Sequence, residues 1–163
     1  MRLSVVDYAV VPVIQPAFDE AFTDVTALVG DLSRTGAYGA IGNHKGIVLV
    51  TFVICQPNPE KAEKYFRCAG EKIFRLGQHP DHLTSDESAN EAEGQFGGAF
   101  RSNPNGGHII SVSGLPTARA DTAVGLLAMR NLQMITPNFA EKISWAPGGP
   151  NEYWQKLMEQ IVG

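Results

Sequence analysis

Apolar residues follow two rhythms along the chain, a helical recurrence and short unbroken runs, and these divide it into elements. Phe18, Ala21, Phe22, Val25, Leu28, Val29 and Leu32 recur at helical spacing. They predict an amphipathic helix over 16–34, with Pro16 in its first turn and Gly36 as its stop. Ahead of it, the Val-rich stretch 3–13 is closed by two prolines and reads as an edge strand or docking arm. Residues 37–42 read as a short strand and Asn43-His-Lys-Gly46 as a turn. Ile47-Val-Leu-Val-Thr-Phe-Val-Ile54 is the strongest strand. Its unbroken apolar character predicts cover on both faces and therefore a central place in the sheet. The two strands make an antiparallel hairpin.

A second helix is predicted over 59–76, with Asn58 as N-cap and Pro59 in the first turn. Ala62, Tyr65, Phe66, Ala69 and Ile73 give its buried face. Glu60, Lys61, Lys64, Arg67, Glu71 and Lys72 give its wet side, and Gly77 ends it. Residues 78–95 are polar, acidic and without period, as in a surface loop or lid. A third strand over 95–101 contains Gly97-Gly98; a turn over 102–107 leads to a fourth strand over 108–113. A third helix runs over 118–136, up to Pro137. Its apolar stripe, widened by Leu126, Met129 and Leu132, predicts heavy burial or an oligomer interface. Tyr153, Trp154, Leu157, Met158 and Ile161 make a short terminal helix. The expected fold is α+β over 1–163: an antiparallel sheet of four to five strands from two hairpins, with helices packed against it in a profilin/PAS-like layout. An N-terminal arm (1–15) supplies the optional fifth strand, and 137–163 forms a helical tail.

Composition narrows the function classes. The 163 residues are 44% hydrophobic and 18% charged with a net charge of -4, which fits one domain with a real core. No Lys/Arg run marks a nucleic-acid surface. Cys55 and Cys68 match no metal or redox spacing; they could pair if strand and helix bring them together, and otherwise read as two reduced, mostly buried thiols. Asp7 and Pro12 interrupt the apolar N-terminus, so it is a poor signal peptide, and no run reaches membrane-span length. A cytoplasmic protein without nucleic-acid or membrane partners is expected.

One short motif is specific. Gly107-His-Ile-Ile-Ser-Val-Ser-Gly114 ends a strand, Asp121 follows, and an apolar helix comes next. With Ile47–Ile54, the helix segment Lys61–Ala69 and the Gly97-Gly98 pair, this order resembles the GlcG/HbpS-like heme-binding family, also found as the C-terminal domain of PduO-type proteins. The resemblance covers roughly 16–135. The chain departs from that pattern at Asn43-His-Lys-Gly46 and at His79-Pro-Asp-His82, and the terminal helix is extra. The resemblance implies small-molecule binding with heme as a possible ligand, or a catabolic or biosynthetic step on another small molecule. Fold alone does not choose among these.

The chemistry-bearing residues follow from that. Heme iron takes an axial imidazole, Cys or Met, so His79, His82 and His108 are ligand candidates. Gly97, Gly98 and Gly114 would permit close approach of a ligand. Gly114-Leu-Pro-Thr-Ala-Arg119 joins a strand end to a helix start, where free N–H groups and Arg119 favour an anion such as a carboxylate. The alternative is a metal-independent enzyme acting on a small carboxylated metabolite. Arg119 would anchor the carboxylate, and His108 or His44 would be the general base with a lid carboxylate as partner. No Gly-x-Ser-x-Gly elbow, Walker loop, Rossmann fingerprint or His-Glu-x-x-His motif is present, and no metal site is expected. A homo-oligomer is expected from the third helix, and a bare scaffold role is the plainest option.

Overall fold

A computed structural model of the chain describes residues 8–30, 33–145 and 147–162. Two hairpins build its sheet. β1 (Gly36–Asn43) and β2 (Val48–Cys55) flank the turn at Asn43, whose side-chain oxygen accepts from the amides of Lys45 and Ile47. β3 (Ala99–Asn103) and β4 (Gly106–Ser113) form the second hairpin. All neighbours are antiparallel and the order is β2-β1-β4-β3, so β1 and β4 are central. The α+β, antiparallel-sheet expectation is met with four strands.

The expectation of a central Ile47–Ile54 strand is overturned, because β2 lies at an edge. Val50, Phe52 and Ile54 point into the core, while Leu49, Thr51 and Val53 on the other face are exposed. The fully covered strand is instead the Gly- and Ala-rich β1. Its small residues let neighbours approach both faces: a Cβ on Gly39 would strike the Phe52 ring, and one on Gly42 would strike Ile73. Apolar content therefore misreports position here, since backbone proximity, not side-chain bulk, fills the space beside β1.

The first helix also differs from its expected bounds. α1 (Val11–Val29) follows a 3-10 turn at Tyr8–Val10, so residues 8–13 are helical and not a strand; the rest of the expected strand lies outside the described residues. Pro12 sits in its first turn and Pro16 inside it. The helix ends at Gly30, left-handed at φ 74° and donating to the Thr26 carbonyl, and not at Gly36, which opens β1. α2 (Ala62–Gly77) follows a turn capped by Asn58, as expected. α3 (Ala118–Asn131) ends five residues before its expected stop, near Gln133 at φ +57°. The tail adds α4 (Pro137–Ser144), capped by Thr136, and α5 (Glu152–Val162).

α2 lies on one face of the sheet, with Ala69, Ile73 and Leu76 on Ala40, Ala99 and Ile109. α1 and α3 lie on the other face, and α4 and α5 pack beside them in the larger core. Residues 120–129 of α3 are all buried within the chain, which accounts for its broad apolar stripe without a second subunit. Among the described residues, no helix is long and apolar enough to cross a membrane.

Candidate functional site

A cavity of about 320 Å³ opens where the carboxyl end of β4 meets the amino end of α3, beneath α2 and the 91–97 segment. Its size is at the lower end of the range for small-molecule pockets. Its innermost wall is charged. Lys72 is 2% exposed and donates to the Val112 carbonyl (2.7 Å) and to Asp121 Oδ2 (3.4 Å). Asp121 Oδ1 accepts from the Leu115 amide (3.1 Å). Burial pushes the Asp121 carboxyl up to about 6, against the opposing pull of Lys72 and the Leu115 amide. An ammonium has three donors, and the acceptors Val112 and Asp121 use two of them.

Lys72 overturns its assignment to the wet side of the second helix. It lies three residues after Ala69 and seven after Tyr65, within the angular sector that faces the sheet. Arg75, also buried, donates to the Ser85 carbonyl (2.7 Å) and Ser88 Oγ (2.8 Å) and reaches the Phe96 carbonyl, while Phe74 points outward at 61% exposed. The expected lid is therefore strapped to α2. Glu87 accepts from the Thr84 amide (2.9 Å), and Asp86 accepts from the Gly98 amide (2.9 Å). Burial raises the Asp86 carboxyl, opposed first by that amide.

Ser113 supplies the feature that points to a ligand. It is 2% exposed, it lines the cavity, and its hydroxyl has no hydrogen-bond partner among the described residues. Ser111, two residues back on the same face of β4, carries a second unpartnered hydroxyl. Native proteins rarely leave buried hydroxyls without partners. Beside Ser113, Thr117 caps α3 by accepting from the Ala120 amide (3.1 Å). The amides of the first helical residues have no intrahelical acceptor, and the helix dipole puts positive potential there. At the mouth, Arg34 donates to the Gly114 carbonyl (3.0 Å) and to Tyr65 (3.3 Å), and Lys64 stands over the Tyr65 ring at 5.4 Å.

The glycines named from sequence belong to this end. Gly97 lines the cavity, and a Cβ there would collide with the Asp86 carboxylate. Gly98, at φ +112°, leaves room for Lys72 Nζ, which would lie 2.8 Å from an added Cβ. Gly114 lines the cavity rim. Arg119 turns away: its guanidinium reaches the Pro150 carbonyl and pairs with Glu152 (3.3 Å), holding the tail.

None of the four histidines lines this cavity. His108 is the third residue of β4, six residues or about 20 Å of extended strand from Gly114. His44 lies in the neighbouring turn, and His108 is held below its ordinary value by burial and by His44. His79 and His82 stack at 4.5 Å with 7° between their planes. Axial imidazoles on one iron meet tip to tip through the metal, whereas stacked rings lie side by side. His79 and His82 as they stack do not sandwich one iron, and no imidazole reaches the cavity, where the axial donor types are Cys68 and Tyr65. Cys55 and Cys68 are unpaired and half-buried.

Sequence reasoning missed Lys72 and Ser113 as site residues and took Asp121 only as part of a motif. A helical-wheel reading of Lys72 would have found the first. No protein-family model, curated protein or solved structure matches the chain.

Proposed function

We propose that the protein binds a small organic carboxylate in the cavity between α2 and the start of α3. The observation that carries this reading is the buried, unpartnered Ser113 hydroxyl, set beside the Lys72 ammonium and the amino end of α3. A carboxylate entering there accepts from the hydroxyl, from helix amides and from the remaining Lys72 donor, and it meets Lys64 at the mouth. Phe96, Leu115 and Pro116 give its carbon skeleton apolar cover. The resemblance to GlcG/HbpS-like proteins rests on the element order and the strand end at Gly114 in the sequence. Heme, the ligand that resemblance suggests, would have to draw its axial bond here from Cys68 or Tyr65. Self-association loses its main support, since α3 is covered within the chain.

The same atoms favour a second reading, a metal-independent enzyme. Asp121 faces the cavity with a carboxyl near 6, suited to taking or giving a proton close to neutral pH. An enzyme at this site uses Asp121 in the proton-transfer role first assigned to His108 or His44, with Ser113 and Lys72 replacing Arg119 as anchors.

Calorimetric titration with a panel of small mono- and dicarboxylates, with heme as a separate arm, tests this. At least one carboxylate should bind, and Ser113→Ala should weaken it by about tenfold, the worth of one hydrogen bond to a charged group. Binding by no carboxylate, or equal affinity in Ser113→Ala, overturns the reading. Turnover of a bound carboxylate, abolished by Asp121→Asn with binding retained, would establish the enzymatic form.

A further inference from the structure

The opposite end of the sheet carries its own constellation. His79, Asp81 and His82 each offer a ligand atom, and these atoms all lie within 4.8 Å of one another. His82 Nδ1 is buried and has no hydrogen-bond partner among the described residues. We propose that this turn is a binding site for a divalent transition-metal ion of the zinc class, coordinated by the two imidazoles and the Asp81 carboxylate.

The chemistry favours that ion. Two imidazoles and a carboxylate form a mixed N/O donor set that suits Zn²⁺, Co²⁺, Ni²⁺ or Cu²⁺ better than Mg²⁺ or Ca²⁺, which prefer all-oxygen shells. Tetrahedral zinc with bonds near 2.0–2.1 Å places ligand atoms about 3.4 Å apart, so the two stacked rings swing out of parallel by side-chain rotation until their in-plane nitrogen lone pairs meet at the ion. Coordination through His82 Nδ1 gives a partner to an atom that otherwise has none. Three protein ligands leave a fourth position for water or a partner group.

The turn is held ready for this by its backbone. The His79 amide donates to the Leu76 carbonyl (3.1 Å) and the His82 amide to the His79 carbonyl (2.9 Å). Behind the turn, Arg101 donates to the carbonyls of His79 (3.2 Å) and His82 (2.8 Å), and also to those of Leu76 and His44. Its positive charge is thus directed into backbone carbonyls, while exposed Asp81 brings the negative charge an incoming cation needs. On the far side, Glu87 accepts from the amides of Leu83 (2.6 Å) and Thr84 (2.9 Å). A ligand set on so fixed a frame loses little freedom on binding the ion. The proposal is independent of the carboxylate cavity, which shares none of these three residues.

The test is zinc titration of the untagged full-length protein by calorimetry, with Co²⁺ absorbance as a second readout. One equivalent should bind, and Co²⁺ should give the intense visible bands of a tetrahedral site. His79→Ala and His82→Ala should each weaken binding by more than about tenfold, since outer-shell partners alone are worth that much. Asp81→Asn, at an exposed position, serves where a histidine variant fails to fold and should also weaken binding. His44→Ala and His108→Ala should leave it unchanged. No binding up to about 1 mM zinc, or equal affinity in the His79, His82 and Asp81 variants, overturns the proposal.

Discussion

The two ends of the sheet both bury a cation, and they satisfy it in opposite ways. At the cavity end, Lys72 is answered by a carboxylate as well as by the Val112 carbonyl, and hydroxyl groups nearby stay without partners. At the histidine end, Arg101 is answered by carbonyls from three separate segments. A charge answered by charge depends on protonation and on the presence of its partner, and it can exchange part of its shell for a ligand. A charge answered by backbone carbonyls is indifferent to pH in the ordinary range and makes a structural pin. Burial alone therefore does not mark a site; the nature and completeness of the partners do.

The comparison breaks most readily at Asp121. Asp121→Ala leaves Lys72 buried without its counter-ion and the Leu115 amide without its acceptor, so unfolding by urea at pH 7 should show a loss of about 3–5 kcal/mol. His79→Ala and His44→Ala, on half-buried or turn residues at the other end, should cost under about 1 kcal/mol by the same measurement. A comparable loss in all three variants would erase the distinction between the ends.

A pH series sharpens it further. The folded carboxyl of Asp121 titrates near 6 against an ordinary value of 3.8. The folded protein therefore holds this proton more tightly, and stability from this group is complete below about pH 4 and lost as pH rises to about 6. The two values imply a fall of up to about 3 kcal/mol. Unfolding free energies from pH 4 to 7 should decline in the wild type relative to Asp121→Asn. Parallel curves for the two proteins would count against a raised Asp121.

Ser113→Ala should have the smallest effect on stability. Removing a buried hydroxyl that has no partner should change the free energy of unfolding by under about 0.5 kcal/mol or stabilise the protein, while carboxylate binding falls. A clear destabilisation would mean the hydroxyl is bonded in solution, and the cavity end would lose its open donor.

Much of the fold was legible from periodicity. Both hairpins, the Asn58 cap and α2 follow from local patterns, because those segments are shaped by their own turns and caps. Strand order was not, since the cover on a strand depends on where α2 lands, and only contacts distant in sequence decide that. The site was half legible. Gly97, Gly98, Gly114 and the α3 start were found because tight backbone geometry leaves glycines and a Thr cap in the sequence. Lys72 was lost because residue type outweighed angular position, and Ser113 because an unpartnered hydroxyl exists only in three dimensions. The histidines share one end of the fold, remote from Gly114, so adjacency of His108 to that motif in sequence carried no information about the cavity.

Arg101 has a further consequence for how the chain assembles. Its guanidinium joins β3 to a carbonyl 57 residues earlier, and to two places on either side of the end of α2. In polymer terms it is a noncovalent ring closure uniting both hairpins. The first hairpin's turn, the last turn of α2 and the histidine turn cannot each settle independently; they lock when the second hairpin arrives. Those segments should thus form one cooperative unit that gains its order late and loses it together.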